Sequence, residues 1–353
     1  MMLNFLEDVG IVKTERKEAE SLYLARALFH NRKMRPRNRD KFLKLAQKNK
    51  VTLRAAPLLD APPETVDEAK TDASEAMQLY ELMSKEFTKE GVSFVVIKSF
   101  DSLPDMGHDL DFLLPRPKEF EAAKTMLLDR FKVSPQPLTH CDKLLGKFSC
   151  FLPGYKHDFE LYPTISQLGE EHVEPESILD DRKVEEISGS KVWVTSPTDR
   201  VLIRVIHAMF RHNFLKLSDV IDFPELAKNS STPQILDAVD SAGIGDAFTF
   251  FIGTIDRFLK ACQADTKLID DLKQSGEKRF GKDRLAFLRR DRLVLPYRIP
   301  TAAIMLLFLL KGARSAARGR WHSALMCIVT PPLMLLDFVN NVFGNRLLFR
   351  RIW

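Results

Sequence analysis

Residues 91–114, GVSFVVIKSFDSLPDMGHDLDFLL, constrain the fold more than any other stretch of the chain. Val92 to Ile97 form a nearly continuous apolar run rich in β-branched residues, the pattern of a strand buried on both faces. Ser99 follows, placed to cap a short helix whose free N–H groups would hold an anion. A turn over residues 104–107 reverses the chain, and Asp109-Leu110-Asp111 leads into Phe112-Leu113-Leu114, a second apolar strand. Side chains alternate along a strand, so Asp109 and Asp111 point the same way. Two carboxylates side by side at the edge of a buried sheet repel unless a cation sits between them. Mg²⁺, a hard ion served by one or two carboxylates together with substrate phosphates, suits that position.

The elements around this pair are consistent with an α+β domain. A long helix is expected over residues 65–89, with Met77, Tyr80, Met83 and Phe87 inward, and another over 117–130, with Phe120, Met126 and Leu127 inward. Together they give helix, strand, short helix, strand, helix, which suits a small mixed sheet backed by helices. Residues 148–162 supply two strands around Pro153-Gly154, a hairpin. In the second strand Asp158 and Glu160 share one face, while His157, Phe159 and Leu161 share the other. Residues 164–190 are acidic and polar and read as an excursion before a strand at Val192-Trp193-Val194. Ser196-Pro197-Thr198-Asp199 is a strong helix start, and Arg204, His207 and Arg211 make a basic stripe on that helix.

This arrangement resembles the nucleotidyltransferase superfamily, the DNA-polymerase-β-like fold. That family has a strand, a Gly-Ser or Gly-Gly pair opening a helix, and an Asp-x-Asp or Asp-x-Glu at the start of the next strand. Lys98-Ser99 and Asp109-Leu110-Asp111 stand at those places. The likeness is closer to a poorly characterised bacterial and archaeal branch whose first strand ends in Lys-Gly; Ser99 stands where that branch has glycine. The branch's second domain opens with Ser-Pro-x-Asp and carries a His-x-x-x-x-His helix, positions held here by residues 196–199 and by His207 and His212, with Asp219 or Asp222 following. The resemblance implies an enzyme that moves a nucleoside monophosphate from an NTP to an acceptor. It implies Mg²⁺ or Mn²⁺ on Asp109, Asp111 and a third carboxylate, Asp158 with Glu160 in reserve, and phosphates held by Lys98, Ser99, Arg204 and Arg211. His108 reads as a turn residue beside the site. The acceptor is left open among a small hydroxyl compound, a lipid or glycan intermediate, a protein and RNA. Two other readings stand beside it: a glycosyltransferase using Asp-x-Asp, in which the apolar strand precedes the acids rather than following them, and a degenerate adaptor of the same fold at a membrane surface.

Charge and hydropathy divide the 353 residues further. The net charge of +5 is clustered: residues 31–50 carry nine basic residues and one acid, and residues 288–353 eleven and two. Expected regions are a basic helical segment (1–64), the catalytic core (65–195), a helical domain (196–291) and a basic amphipathic hairpin (292–353). In the last, residues 299–310 and 321–336 are uncharged, the second interrupted by Pro331-Pro332, and both fall short of the ~20 residues of a spanning helix. Arginines and the tryptophans Trp321 and Trp353 flank them, which suits peripheral contact with anionic lipid; a hairpin packed on the core or in a homo-oligomer interface is the other reading. The four cysteines form no C-x-x-C pair, and the first ten residues carry acids where a signal peptide has its basic and apolar parts. A cytoplasmic protein, peripheral at the inner face of the membrane, is the expectation.

Overall fold

Alternation along a few short strands decides the architecture. In the computed structural model, which describes residues 17–169 and 173–343, the strands are β1 (Val95–Val96), β2 (Asp109–Leu113), β3 (Ser134–Pro135), β4 (Phe148–Phe151), β5 (Asp158–Tyr162), β6 (Lys183–Ile187) and β7 (Ser190–Val194). They form one mixed sheet in the order β3-β4-β5-β2-β1-β7-β6. β2 runs antiparallel to β1 and parallel to β5, and β1 runs parallel to β7. The protein is therefore α+β.

One sheet face carries Phe94, Val96, Leu110, Phe112, Phe159 and Leu161, and two helices cover it: α1 (Pro63–Lys89) through Tyr80, Met83 and Phe87, and α2 (Pro117–Asp129) through Phe120 and Leu127. Both helices begin at proline, whose missing N–H is one that a first turn leaves unbonded anyway. The aromatic rings interlock, with Phe112 4.9 Å from Phe159 and 5.3 Å from Phe94 between centroids. The opposite face carries Val95, Ile97, Leu113 and Tyr162, and these belong to a second, larger core.

That second core joins what the sequence separates. The N-terminal helices α3 (Lys17–Phe29) and α4 (Arg39–Lys48) pack in the same cluster as α5 (Pro197–Ile206), α6 (Leu217–Ala227), α7 (Thr232–Ser241), α8 (Gly245–Cys262) and α9 (Lys267–Phe280). α10 (Thr301–Ala317) adds Ile304, Leu307 and Phe308, and α11 (Trp321–Phe343) adds Cys327. The basic N-terminal segment thus shares its core with the helical region instead of standing apart.

Three local expectations are corrected. Residues 164–190 are not a bare excursion: Pro175–Asp180 is helical and β6 pairs with β7, Val184 opposite Trp193. The chain after Ser99 makes successive turns and no helix, because the Ser99 hydroxyl bonds to Asp111 and the loop is drawn to the N-terminal segment, where Leu53 N–H donates to Asp105 at 2.6 Å. The Pro331-Pro332 pair does not interrupt the last apolar run: α11 continues through it for 23 residues. Two prolines remove two intrahelical donors, and packing along α10, where Gly312 lies against Cys327 and Ala324, holds the helix through the gap. The region of the signal-peptide reading, together with Arg346, Arg350, Arg351 and Trp353, lies outside the described residues.

Phe112 has no exposed surface and sits amid four aromatic neighbours, so Phe112→Ala should lower unfolding free energy by about 3–5 kcal/mol in urea titrations. A loss below about 1 kcal/mol would mean that this aromatic layer is not the sheet's main support.

Candidate functional site

The parallel pairing of β2 with β5 sets Asp109 beside Asp158 and Asp111 beside Glu160. Side chains of paired residues point to the same face, so four carboxylates stand together on the side turned away from α1 and α2. One oxygen each of Asp109, Asp158 and Glu160 lie within 4.8 Å of one another. Asp111, Asp158 and Glu160 are buried and Asp109 is half-buried. Both candidates for the third carboxylate are therefore at the cluster, one residue pair apart.

Like charges at this spacing demand cations, and the sheet end supplies them. Lys98 Nζ lies 3.4 Å from Asp111 Oδ1, and Lys147 Nζ 2.6 Å from Glu160 Oε1. The Tyr162 hydroxyl donates to Glu160 Oε2, and Arg211 Nη2 donates to the Tyr162 oxygen at 3.0 Å. Lys98, Lys147 and Arg211 also ring the Tyr162 π-face, at 5.9, 5.3 and 5.0 Å from its centroid. Gln136 donates to Asp158 from beside β3. Lys98 itself has φ +55°, a left-handed conformation that a lysine adopts only when its surroundings fix it. This turn lets the Ser99 oxygen accept the Asp111 N–H at 2.9 Å.

These contacts split the acids electrostatically. Burial, only partly offset by Lys98, pushes Asp111 up to about 6. Burial would raise Glu160 as well, but the ammonium groups of Lys147 and Lys98 outweigh it and hold Glu160 at about 2. Asp111 Oδ1 is buried and accepts no hydrogen bond among the described residues. Asp109, Asp158 and Glu160 form the all-oxygen donor set here that could hold a hard divalent cation, while Asp111 Oδ1 has Lys98 as its ion-pair partner.

The second basic residue group reaches the site from outside the sheet. Lys50 Nζ lies against Gly107, where an added Cβ would come within 2.3 Å of it and displace the flexible lysine end. Asn49, fully buried, accepts the Leu217 N–H on its side chain at 3.0 Å and the Ser218 N–H on its carbonyl at 3.2 Å. This latch brings Lys50 beside Lys216. Burial and the Lys50 charge push the Lys216 ammonium down to about 7. His207–His212 form a π-helix continuing α5, with the two imidazoles 5.7 Å apart. Burial and the charges of Lys98 and Arg211 push His207 well below the ordinary histidine value, so it is neutral at pH 7, whereas the His212 ring is exposed.

The widened winding also parts two residues that the sequence places on one stripe. A π-turn advances fewer degrees per residue than an α-turn, and Arg211 turns to Tyr162 and Asp142 while Arg204 turns to Asp219 at 2.7 Å and Asp101 at 3.5 Å. Asp222 bonds to Arg54, which also holds Asp105 at 2.9 Å. Arg204, Asp219 and Asp222 thus lie in an ion-pair network that ties the loop after β1 to the helices, beside the carboxylates but not among them. Ser99 is bonded to the carboxylate strand and presents no row of helix N–H groups. Lys147, Tyr162, Lys50, Lys216 and Gln136 escape the sequence reading. Tyr162 continues the Asp158, Glu160 alternation and was legible; Lys50 and Lys216 reach the site through contacts between distant segments.

A raised carboxyl value gives a definite sign. The stability that Asp111 contributes is fully present below the ordinary aspartate value and is lost as pH rises through about 6, whereas Glu160 is already ionised over that range. His207, neutral when folded, acts in the opposite sense over this range, so the Asp111 contribution is read by comparison: between pH 5 and 7.5 the metal-free wild type should lose about 1 kcal/mol of stability relative to Asp111→Asn in paired urea titrations. Equal changes would show that Asp111 titrates normally. Compared with known proteins, the chain matches no family model, no curated protein and no solved structure.

Proposed function

We propose that this chain transfers a nucleoside monophosphate from an NTP to a hydroxyl or phosphate acceptor, releasing pyrophosphate. The observation that carries the reading is the β2–β5 register, which aligns Asp109, Asp111, Asp158 and Glu160 on one face within reach of five basic side chains. An acidic cluster beside a basic one suits a substrate that is itself a polyanion with a bound cation. Mg²⁺ or Mn²⁺, when held by Asp109, Asp158 and Glu160, supplies Lewis-acid neutralisation of charge developing on the phosphoryl oxygens.

The chain's own residues account for the rest. Lys50 and Lys216 stand at the edge of the cluster on separate segments and bind the β- and γ-phosphates, with Lys98 and Arg211 nearer the sheet. A Lys216 value near 7 makes this ammonium readily dischargeable alone and firmly charged once a phosphate is beside it. The acceptor oxygen forms a bond to the α-phosphorus as the bond from that phosphorus to the bridging oxygen breaks, and pyrophosphate carries the electron pair away. The acceptor's proton goes to a carboxylate; Asp158, the first residue of β5, takes this role in the proposal because Glu160 is already bonded to Lys147 and Tyr162.

Purified protein with Mg²⁺ and each NTP in turn, supplied with a cell extract as acceptor source, should release pyrophosphate. Asp109→Asn and Asp111→Asn should reduce release at least about a hundredfold, and Lys216→Ala should raise KM for the NTP about tenfold with a smaller effect on kcat. Unchanged release in folded Asp109→Asn and Asp111→Asn would refute the assignment. Metal-dependent cleavage of a nucleotide sugar without pyrophosphate release would favour the glycosyltransferase reading instead.

A further inference from the structure

A buried polar atom without a partner destabilises the fold that holds it, and His207 carries two of them. It is 3% exposed, and neither Nδ1 nor Nε2 has a hydrogen-bond partner among the described residues. Four positions on, Arg211 Nη1 is likewise buried and unpartnered, although Nη2 of the same guanidinium bonds to Tyr162 and Asp142. His207–His212 is wound as a π-helix, in which each N–H bonds to the carbonyl five positions back, so residues 207 and 211 stand close to one full turn apart and share a face. Single π-turns of this kind are frequent at functional sites.

The charges around His207 indicate what kind of partner is missing. The groups that act most on its ring are Lys98, Arg211, His212 and Arg204, all of them basic residues. Arg204 is already held by Asp219 and Asp101, which leaves Lys98 and Arg211. These two converge on one place, 5.9 and 5.0 Å from the centroid of the Tyr162 ring. A phosphoryl group suits them: its oxygens accept from an imidazole N–H and a guanidinium together, and its charge is drawn by both cations. From His207 a row of contacts leads outward, to His212 at 5.7 Å, from that ring to Phe214 at 5.5 Å, and from Phe214 to Lys216 Nζ at 5.6 Å. The Lys98 charge still acts on Lys216, so the inner and outer cations are within reach of one polyanion. With the β- and γ-phosphates on Lys50 and Lys216, the α-phosphoryl group falls at the His207 end.

We infer that His207 and Arg211 seat the α-phosphoryl group of the NTP, His207 donating through its one ring N–H and Arg211 through Nη1, each to a non-bridging oxygen. This rests on the nucleotidyl-transfer reading and adds to it a neutral donor at the phosphoryl group whose bond to the bridging oxygen breaks. Such a donor, fixed in a buried place before the substrate arrives, needs no reorganisation as charge shifts during transfer.

Inorganic tripolyphosphate with Mg²⁺ carries the row of phosphoryl groups common to every NTP and tests the seat without turnover. His207→Phe should weaken its binding about tenfold in isothermal titration calorimetry. The ligand-free variant should unfold at a temperature no lower than the wild type, because an apolar ring needs no partner. A folded His207→Phe that binds tripolyphosphate as tightly as the wild type would overturn the inference, the imidazole then being a core residue. Should His207→Phe fail to fold, the wild type still decides: the His207 ring-nitrogen NMR resonances should move when tripolyphosphate is added, and resonances that stay in place would overturn the inference. The two readings fail separately. Binding that depends on His207, with no pyrophosphate released from any NTP, would refute nucleotidyl transfer and leave the phosphoryl seat standing. Pyrophosphate release by His207→Phe at the wild-type kcat/KM would refute the seat alone.

Discussion

Four carboxylates in register on neighbouring parallel strands repel one another, and much of this structure is what makes that arrangement tolerable. Pairing Asp109 with Asp158 and Asp111 with Glu160 leaves the sheet no way to turn one acid aside without turning its partner's strand. The response is local and specific. Lys98 closes β1 in a left-handed turn, Lys147 enters from the segment before β4, and the Tyr162 ring gathers three cations while its hydroxyl satisfies Glu160. The compensation is unequal. Glu160 is held fully ionised and Asp111 is left near its titration point, which is the kind of divergence that gives neighbouring acids separate tasks.

The site draws on three parts of the chain. The sheet gives the acids, the helix after β7 gives Arg211 and the buried, neutral His207, and the N-terminal segment gives Lys50 through the Asn49 latch. Arg54, bridging Asp105 and Asp222, clamps the loop that leads into β2 against the helices. Breaking one partner of such a buried network leaves the others uncompensated, so the N-terminal helices belong to the site's foundation and not to an appended arm. The C-terminal hairpin touches the same foundation: Asp337 caps the short helix His140–Leu145, and Lys147 follows the Gly146 turn that ends it.

The sequence by itself determined which residues alternate and where elements begin. Period two along residues 109–114 and 158–162 placed the four acids on one face of each strand, and proline starts marked the helices at Pro63, Pro117 and Pro197. These are local properties, set by backbone geometry and the missing proline donor, and they survive whatever packs around them. Tertiary structure alone decided that β2 and β5 are neighbours in that register, that both Asp158 and Glu160 reach the cluster, and that Ser99 bonds to Asp111 instead of opening a helix. It also decided that Arg204 and Arg211 part company across a π-turn, and that Lys50 and Lys216 meet. Each of these depends on which distant segment supplies a partner, and a hydrogen bond or ion pair across 168 residues, as between Asn49 and Leu217, leaves no periodic trace in the chain that makes it.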